Sequence, residues 1–208
     1  MTKQTRAKGM RRKLGLPPRH KVASLHVDRE NKRVVVTTKD MLQKQLHRDG
    51  PRIRASFDRL ARGHLSDCSE MFGEAVGLIV RHLPNVWDDG FKATVSRLLN
   101  SASNTYLAGI EVARHGYRRQ YGMLARSLIE TIATVIVIAI RPTALAEFHA
   151  GKLKSTKCVG WAREAVEPLG VYYGMLSEHF VHVGRAHATF EPVAPYTGRV
   201  PGRGVAGR

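Results

Sequence analysis

Residues 121–140 read Tyr121-Gly-Met-Leu-Ala-Arg126-Ser-Leu-Ile-Glu130-Thr-Ile-Ala-Thr-Val-Ile-Val-Ile-Ala-Ile140, and Arg141-Pro142 follows. From 128 to 140 the sequence is apolar at nearly every position, whereas a helix on a protein surface is apolar along one face only. A helix that is apolar all round is typical of the centre of a bundle. The stretch therefore predicts the central helix of an all-α protein, ending before the proline.

Two ionisable residues stand at the start of this helix. Arg126 and Glu130 are four positions apart, so they lie one turn from each other on the same face. A charge that enters a core must be paired, because an unpaired buried charge costs several kcal/mol or more. We predict that both side chains face the bundle interior and share hydrogen bonds with each other or with the last helix. The pair is then either a structural bridge or the floor of a functional site.

Helical periodicity predicts the other helices of an all-α, multi-helix bundle. Upstream they cover 41–48, ending at Gly50-Pro51, then 52–82, and 91–115, closed by Gly116. Downstream they cover 144–152, 156–167 and, after Gly170, 171–184. The inward positions include Leu60, Leu78 and Leu107. Alternation over 22–27 and 33–38 adds a small N-terminal β-hairpin.

The positive charge is concentrated at the N-terminus. The chain has a formal net charge of +17, and residues 1–54 alone hold 16 Lys and Arg against 4 Asp and Glu. Polyanions are the natural partners of such a segment, nucleic acid first and anionic lipid second. The alternative is a solvated tail that only keeps the protein soluble. We predict a disordered basic arm over 1–20, where Arg11, Arg12 and Lys13 bind substrate. The hairpin and short helix then occupy 21–50, the bundle 51–190, and a disordered tail 191–208.

Several classes of site lack sequence support. Neither Glu-x-x-His nor His-Glu-x-x-His occurs, so we expect no metal. The Gly202-Arg-Gly204-Val-Ala-Gly207 match to a dinucleotide motif has no helix after it to bind a pyrophosphate, so we expect no cofactor. Without these motifs, the function classes that stay open are metal-independent chemistry and binding without catalysis.

Cysteine usage and hydropathy indicate a cytoplasmic protein without a membrane segment. The two cysteines, Cys68 and Cys158, lie far apart and suit a reducing compartment. The apolar run over 128–140 gives roughly 20 Å of helix against a bilayer core of about 30 Å. We therefore expect no membrane contact.

The last predicted helix carries polar side chains beside an apolar stripe formed by Tyr173, Leu176, Phe180 and Val183. His179 and His182 flank the stripe, where an imidazole could meet Arg126 or Glu130. One interpretation is an Arg/His site for phosphodiester cleavage, with His as acid or base and Arg holding the anionic transition state. The other is a hydrogen bond between helices, and buried polar networks commonly serve packing specificity in this way.

Three phrases resemble a group of microbial helical proteins, the HEPN-like bundles (higher eukaryotes and prokaryotes nucleotide-binding). They are Tyr106-Leu-Ala-Gly-Ile-Glu-Val-Ala-Arg-His-Gly116, Gly122-Met-Leu-Ala-Arg126-Ser-Leu-Ile-Glu130 and Tyr173-Gly-Met-Leu-Ser177-x-x-x-x-His182. The resemblance implies an all-α bundle and an RNA-directed role in stress, defence or toxin systems. HEPN ribonucleases usually carry Arg-x4–6-His late in the bundle. In this chain Arg59 and His64 have that spacing, but they lie in the first long helix, where the match is expected to be coincidental.

Two hypotheses result. The first is an RNA-associated HEPN-like protein, a metal-independent endoribonuclease effector if it is an enzyme. Its catalytic residues would be Arg126, Glu130 and His182, with Ser177 and His179 binding substrate; RNA is preferred to DNA as the partner. The alternative is a non-catalytic interaction or regulatory protein, a possible homodimer, in which Arg126 and Glu130 form a structural pair.

Overall fold

The chain forms one β-hairpin and is otherwise helical in the part that the structure describes. The structure is a computed structural model, and it describes residues 21–29, 33–82 and 90–181. The predictions for the basic arm over 1–20 and the tail over 191–208 lie outside these residues. The chain divides into two compact units between Arg52 and Ile53.

The hairpin opens the first unit. Strand β1 (Val22–Asp28) pairs antiparallel with β2 (Arg33–Thr38), with Leu25 opposite Val36. The predicted hairpin is thereby confirmed. An isolated two-stranded sheet is marginally stable in water, so the hairpin depends on contacts beyond its two strands.

A short helix, α1 (Met41–Lys44), follows the hairpin. Asp40 precedes it but makes no capping hydrogen bond with its side chain. Its carboxylate instead lies 2.8 Å from the Lys44 ammonium, which also donates to Thr38 Oγ1 at 2.8 Å. The Lys44 ammonium beside this carboxylate lowers the pKa of Asp40 to about 2. An ion pair between Asp40 and Lys44, one helical turn apart, therefore stabilises the start of α1.

The helix does not end at Gly50-Pro51, and that prediction is wrong. A wide turn of π-helix, Gln45–Asp49, leads directly into α2 (Gly50–Leu60). Proline lacks an N–H and crowds the carbonyl of the preceding turn, but it is tolerated at the first turn of a new helix. A Cβ on Gly50 would lie 2.8 Å from the Gln45 carbonyl oxygen, so the close turn requires glycine.

The predicted long helix over 52–82 is present as two segments. Helix α3 (Arg62–His82) follows α2 after a bend at Ala61. Backbone hydrogen bonds of 2.8 Å run from Ala61 N to Phe57 O and from Leu65 N to Ala61 O. The chain bends without losing its helical hydrogen bonds.

Helices α4 (Gly90–Arg114) and α5 (Arg118–Ile140) form the main pair of the second unit. Gly116, with φ of +81°, lies between them, as the predicted stop at this glycine requires. Arg141 after α5 is extended, which is the conformation favoured before a proline. Both predicted helix ends are confirmed.

An arginine clamp joins α2 to α4. Arg114 donates from Nε and Nη2 to the two carboxylate oxygens of Asp58, both at 2.8 Å, and from Nη1 to Glu111 at 2.5 Å. This two-pronged geometry is the strong form of an arginine–carboxylate contact. It lowers the pKa of Asp58, whose carboxylate is stabilised by the guanidinium.

Three shorter helices complete the described bundle: α6 (Ala144–His149), α7 (Ser155–Ala162) and α8 (Pro168–Leu176). A second wide π-turn, Ser177–Val181, continues α8. Gly170 lies inside α8, so the predicted break there is wrong. Pro168 sets the start instead, because its fixed φ suits the first helical turn.

Helix α5 is central in the bundle, as predicted. It contacts α4, α6, α7, α8 and the second π-turn. The buried core around it draws on α4 to α7 and comprises Val95, Ala133, Val137, Ile138, Ala144, Cys158, Val159 and Ala162. Cys158 is fully buried, and burial raises the pKa of its thiol, so this cysteine acts as a small apolar residue.

Not every predicted inward position is covered. Leu60, Leu78 and Leu107 are about half exposed, contrary to the prediction. Periodicity identifies an apolar face, but the width of the face that a neighbouring helix covers depends on the packing.

Helix α5 is also long and apolar enough to cross a membrane by length and composition, the one such helix among the described residues. The prediction that this helix is too short to cross a membrane used only the apolar run over 128–140. The helix itself has 23 residues and is longer than that run. The central helix of a bundle meets the same criterion. The absence of a membrane partner stays an expectation.

Candidate functional site

Arg126 and Glu130 form the predicted pair on α5. Arg126 Nε lies 3.2 Å from Glu130 Oε1, and the two side chains are 19% and 24% exposed. Although buried, this Nε makes no hydrogen bond, so its contact with the carboxylate is an ion pair without hydrogen-bond geometry. The predicted contact is present, between two charges that are mostly withdrawn from water.

Tyr173 of α8 bridges the two charges. Arg126 Nη2 donates to Tyr173 Oη at 2.6 Å, and Tyr173 Oη donates to Glu130 Oε1 at 2.9 Å. The centre of the guanidinium also lies 4.9 Å from the centroid of the Tyr173 ring, a cation–π contact. The phenol thus uses both its donor and its acceptor capacity within the pair.

Ser155, at the start of α7, completes the network. Its hydroxyl donates to Glu130 Oε2 at 2.9 Å. Each carboxylate oxygen of Glu130 therefore accepts a hydrogen bond from a different helix. We call Arg126, Glu130, Ser155 and Tyr173 the polar network; it ties α5 to α7 and α8.

The polar network is well suited to holding helices in register. General acid–base chemistry needs a group that can give or take a proton at the reacting atom. Arg126 donates to Tyr173, the Tyr173 hydroxyl donates to Glu130, and both Glu130 oxygens accept hydrogen bonds. In this arrangement the network stabilises the packing of three helices.

Two other predicted site residues, Ser177 and His179, are not gathered at the pair. Ser177 lies in the second π-turn and donates to the Tyr173 carbonyl at 2.7 Å, a bond along its own helix. His179 is exposed. Among the described residues, the hydrogen bonds of the pair go to Tyr173 and Ser155, not to these two.

The remaining predicted residues lie outside the described residues. They are the catalytic candidate His182 and the substrate-binding candidates Arg11, Arg12 and Lys13. Within the described ranges, no three His, Cys, Asp or Glu side chains are grouped so that they could hold a metal ion.

Sequence reasoning missed Tyr173 and Ser155 as partners of the pair. Tyr173 was assigned to the apolar stripe of the last helix. A tyrosine on a buried stripe still needs a partner for its hydroxyl, and this rule was the available signal. No signal in the sequence pointed to Ser155, since it lies 25 residues beyond Glu130.

Comparison with protein-family models, with curated proteins and with solved structures gave no match. The chain is therefore placed by its own geometry as a mostly helical protein with a small antiparallel hairpin.

Proposed function

We propose that this protein is a non-catalytic, RNA-associated helical protein. The observation that carries the proposal is the polar network, in which Arg126 and Glu130 are bound to each other, to Tyr173 and to Ser155. An arginine committed to a tyrosine and a carboxylate holds helices together. We therefore expect the functional surface where the basic residues of the chain are concentrated.

The charge distribution supports a polyanion as the partner. The first 54 residues hold 16 Lys and Arg and 4 Asp and Glu, a net charge of +12, and the rest of the chain contributes +5. Binding a polyanion releases its counterions, which favours association at low salt. The preference for RNA over DNA rests on the resemblance to HEPN-like proteins.

Deleting residues 1–20 is expected to weaken RNA binding strongly. The deletion removes 7 Lys and Arg and no Asp or Glu. For single-stranded RNA the slope of log K against log salt is about −0.7 per phosphate contact, so the deletion should also flatten the salt dependence. Fluorescence anisotropy with labelled single-stranded RNA, from 50 to 300 mM salt, measures both effects, and the same titration with DNA tests the preference.

The matched control is deletion of residues 191–208, which removes 3 arginines and one glutamate. We expect it to change the affinity by much less than the N-terminal deletion. Equal RNA affinity before and after removal of 1–20 would refute a role for the arm. An equal loss of RNA affinity from both deletions would show that residues 1–20 contribute no more to binding than residues 191–208.

A ribonuclease-type effector is the second candidate. The observation in its favour is that the Arg126 and Glu130 side chains keep 19% and 24% exposure, so a phosphodiester could reach part of the pair. Incubation of RNA with the wild type, His182→Ala and the matched control His179→Ala decides between the candidates. We expect no cleavage by any of them. Cleavage by the wild type and by His179→Ala, lost in His182→Ala, would establish the second candidate.

A further inference from the structure

Helix α3 is poorly covered by the part of its own chain that the structure describes. None of its 21 residues is buried, although the helix is rich in apolar side chains. Helices in proteins owe most of their stability to the packing of an apolar face. A helix of this length and composition therefore needs more cover than the described chain provides.

One face of α3 is attached to α4. Phe72 stacks on Tyr106 with ring centroids 5.2 Å apart, and Cys68 lies beside the same tyrosine. Burial and the hydrogen bond with Cys68 raise the pKa of Tyr106 to about 12. This contact uses the face of α3 that contains Phe72.

A second apolar stripe runs along α3 beside that face. Met71, Ala75 and Leu78 are four and three positions apart, so they align along one side of a helix. Met71 is 70% exposed and Leu78 is 54% exposed. Since consecutive residues are about 100° apart around a helix, this stripe lies about a quarter turn around the helix from Phe72.

The charge of α3 indicates what kind of partner covers the stripe. Residues 62–82 hold 2 arginines against 3 acidic residues, in a chain with a net charge of +17. A polyanion favours the basic surfaces instead. A second copy of the chain can approach here with less charge repulsion than elsewhere, and its own charges are complementary when the two helices run antiparallel.

We propose that two copies of the chain associate through α3, antiparallel about a twofold axis. Placing Met71 opposite Leu78 of the second copy brings Asp67 opposite His82 and beside Arg81 of that copy. The twofold axis repeats each contact, so the interface gains two acid–base pairs along with the apolar stripe. The same register brings Glu74 close to Glu74 of the second copy at the twofold axis. This contact between like charges weakens the dimer.

Sedimentation equilibrium tests the association at high salt, so that bound nucleic acid does not contribute. We expect the mass to rise with concentration from 23.1 kDa towards twice that value. Leu78→Glu should raise the dimer dissociation constant at least tenfold. The matched control is Leu46→Glu in the first π-turn, because Leu46 is 55% exposed and Leu78 is 54% exposed. The control should leave the dissociation constant unchanged.

Charge exchange tests the register and does not depend on the apolar substitution. Asp67→Arg and Arg81→Asp should each weaken the dimer, and the double variant should restore it. The two positions lie about 21 Å apart along one helix, too far for a contact within a chain. Restoration can therefore come only from the second copy. Glu74→Gln should tighten the dimer.

Three outcomes would overturn the proposal. The first is a chain that stays monomeric at every concentration, as it would if another segment of the same chain covered the stripe. The second is a dimer unaffected by Leu78→Glu. The third is a double charge variant no tighter than the single variants. RNA binding is measured separately, so these results leave the proposed function untouched.

Discussion

Replacing Gly122 by alanine is expected to destabilise the protein by about 1–3 kcal/mol, the usual cost of forcing an extra methyl group into a packed site. A Cβ on this residue of α5 would lie 2.6 Å from Phe180 Cβ and closer still to the Phe180 ring. The ring could rotate, but Phe180 Cβ is fixed to the backbone. The second π-turn must therefore move away from α5. Urea unfolding, followed by circular dichroism, measures the loss.

Two variants separate this contact from the general effect of alanine in a helix. Gly174→Ala is the matched control, because Gly174 is helical and nothing lies within 4 Å of its added Cβ. It should stabilise the protein by about 0.5–1 kcal/mol, since alanine is the better helix former. In a Phe180→Ala background, Gly122→Ala should cost little. A full cost in that background would show that Phe180 is not the obstacle.

Glu130→Ala is expected to destabilise the protein by about 2–4 kcal/mol. The substitution leaves the Arg126 charge without its carboxylate and removes the acceptor for Tyr173 and Ser155. Breaking a fully buried ion pair from one side costs about 3–5 kcal/mol, and partial exposure of Glu130 reduces this. Chemical unfolding measures the change.

Glu130→Gln distinguishes the role of charge from that of hydrogen bonding. The amide oxygen can still accept one hydrogen bond, so this variant should lose less than Glu130→Ala. Glu111→Ala is the surface control: Glu111 is 48% exposed and pairs with Arg114. Its loss should stay within about 1 kcal/mol, as is usual for exposed pairs. Equal losses for Glu130→Ala and Glu111→Ala would contradict a supporting role for the polar network.

Local patterns in the sequence predicted the elements whose causes are local. The alternation over 22–38 indicated the hairpin, and Gly116 and the proline after Arg141 marked helix ends that the structure contains. The apolar length of 128–140 placed α5 at the centre. In each case the signal and its cause lie within a few residues.

The failures arose where a residue has two possible uses. Gly50-Pro51 usually stops a helix, but the preceding π-turn lets proline open the next one. Gly170 likewise lies inside a helix that Pro168 begins. Leu78 is apolar at a helical spacing, yet the spacing does not state how much of the face a neighbour covers.

The candidate site shows the same limit. The spacing of Arg126 and Glu130 is local, and their contact was predicted. Tyr173 lies 47 residues from Arg126 and Ser155 lies 25 residues from Glu130, so only the packing of helices reveals them as partners. The proposed functional role of His179 likewise depended on a helix–helix contact that spacing alone cannot supply.

The second π-turn has a consequence for the side chains that position 122 can carry. A π-turn carries one residue more than an α-helical turn. Removing one residue from Ser177–Val181 would turn Phe180 about 100° around the axis, away from Gly122. The close contact between Gly122 and Phe180 thus depends on the extra residue of this turn. Relatives that lack the extra residue should be free to carry a larger side chain in place of Gly122.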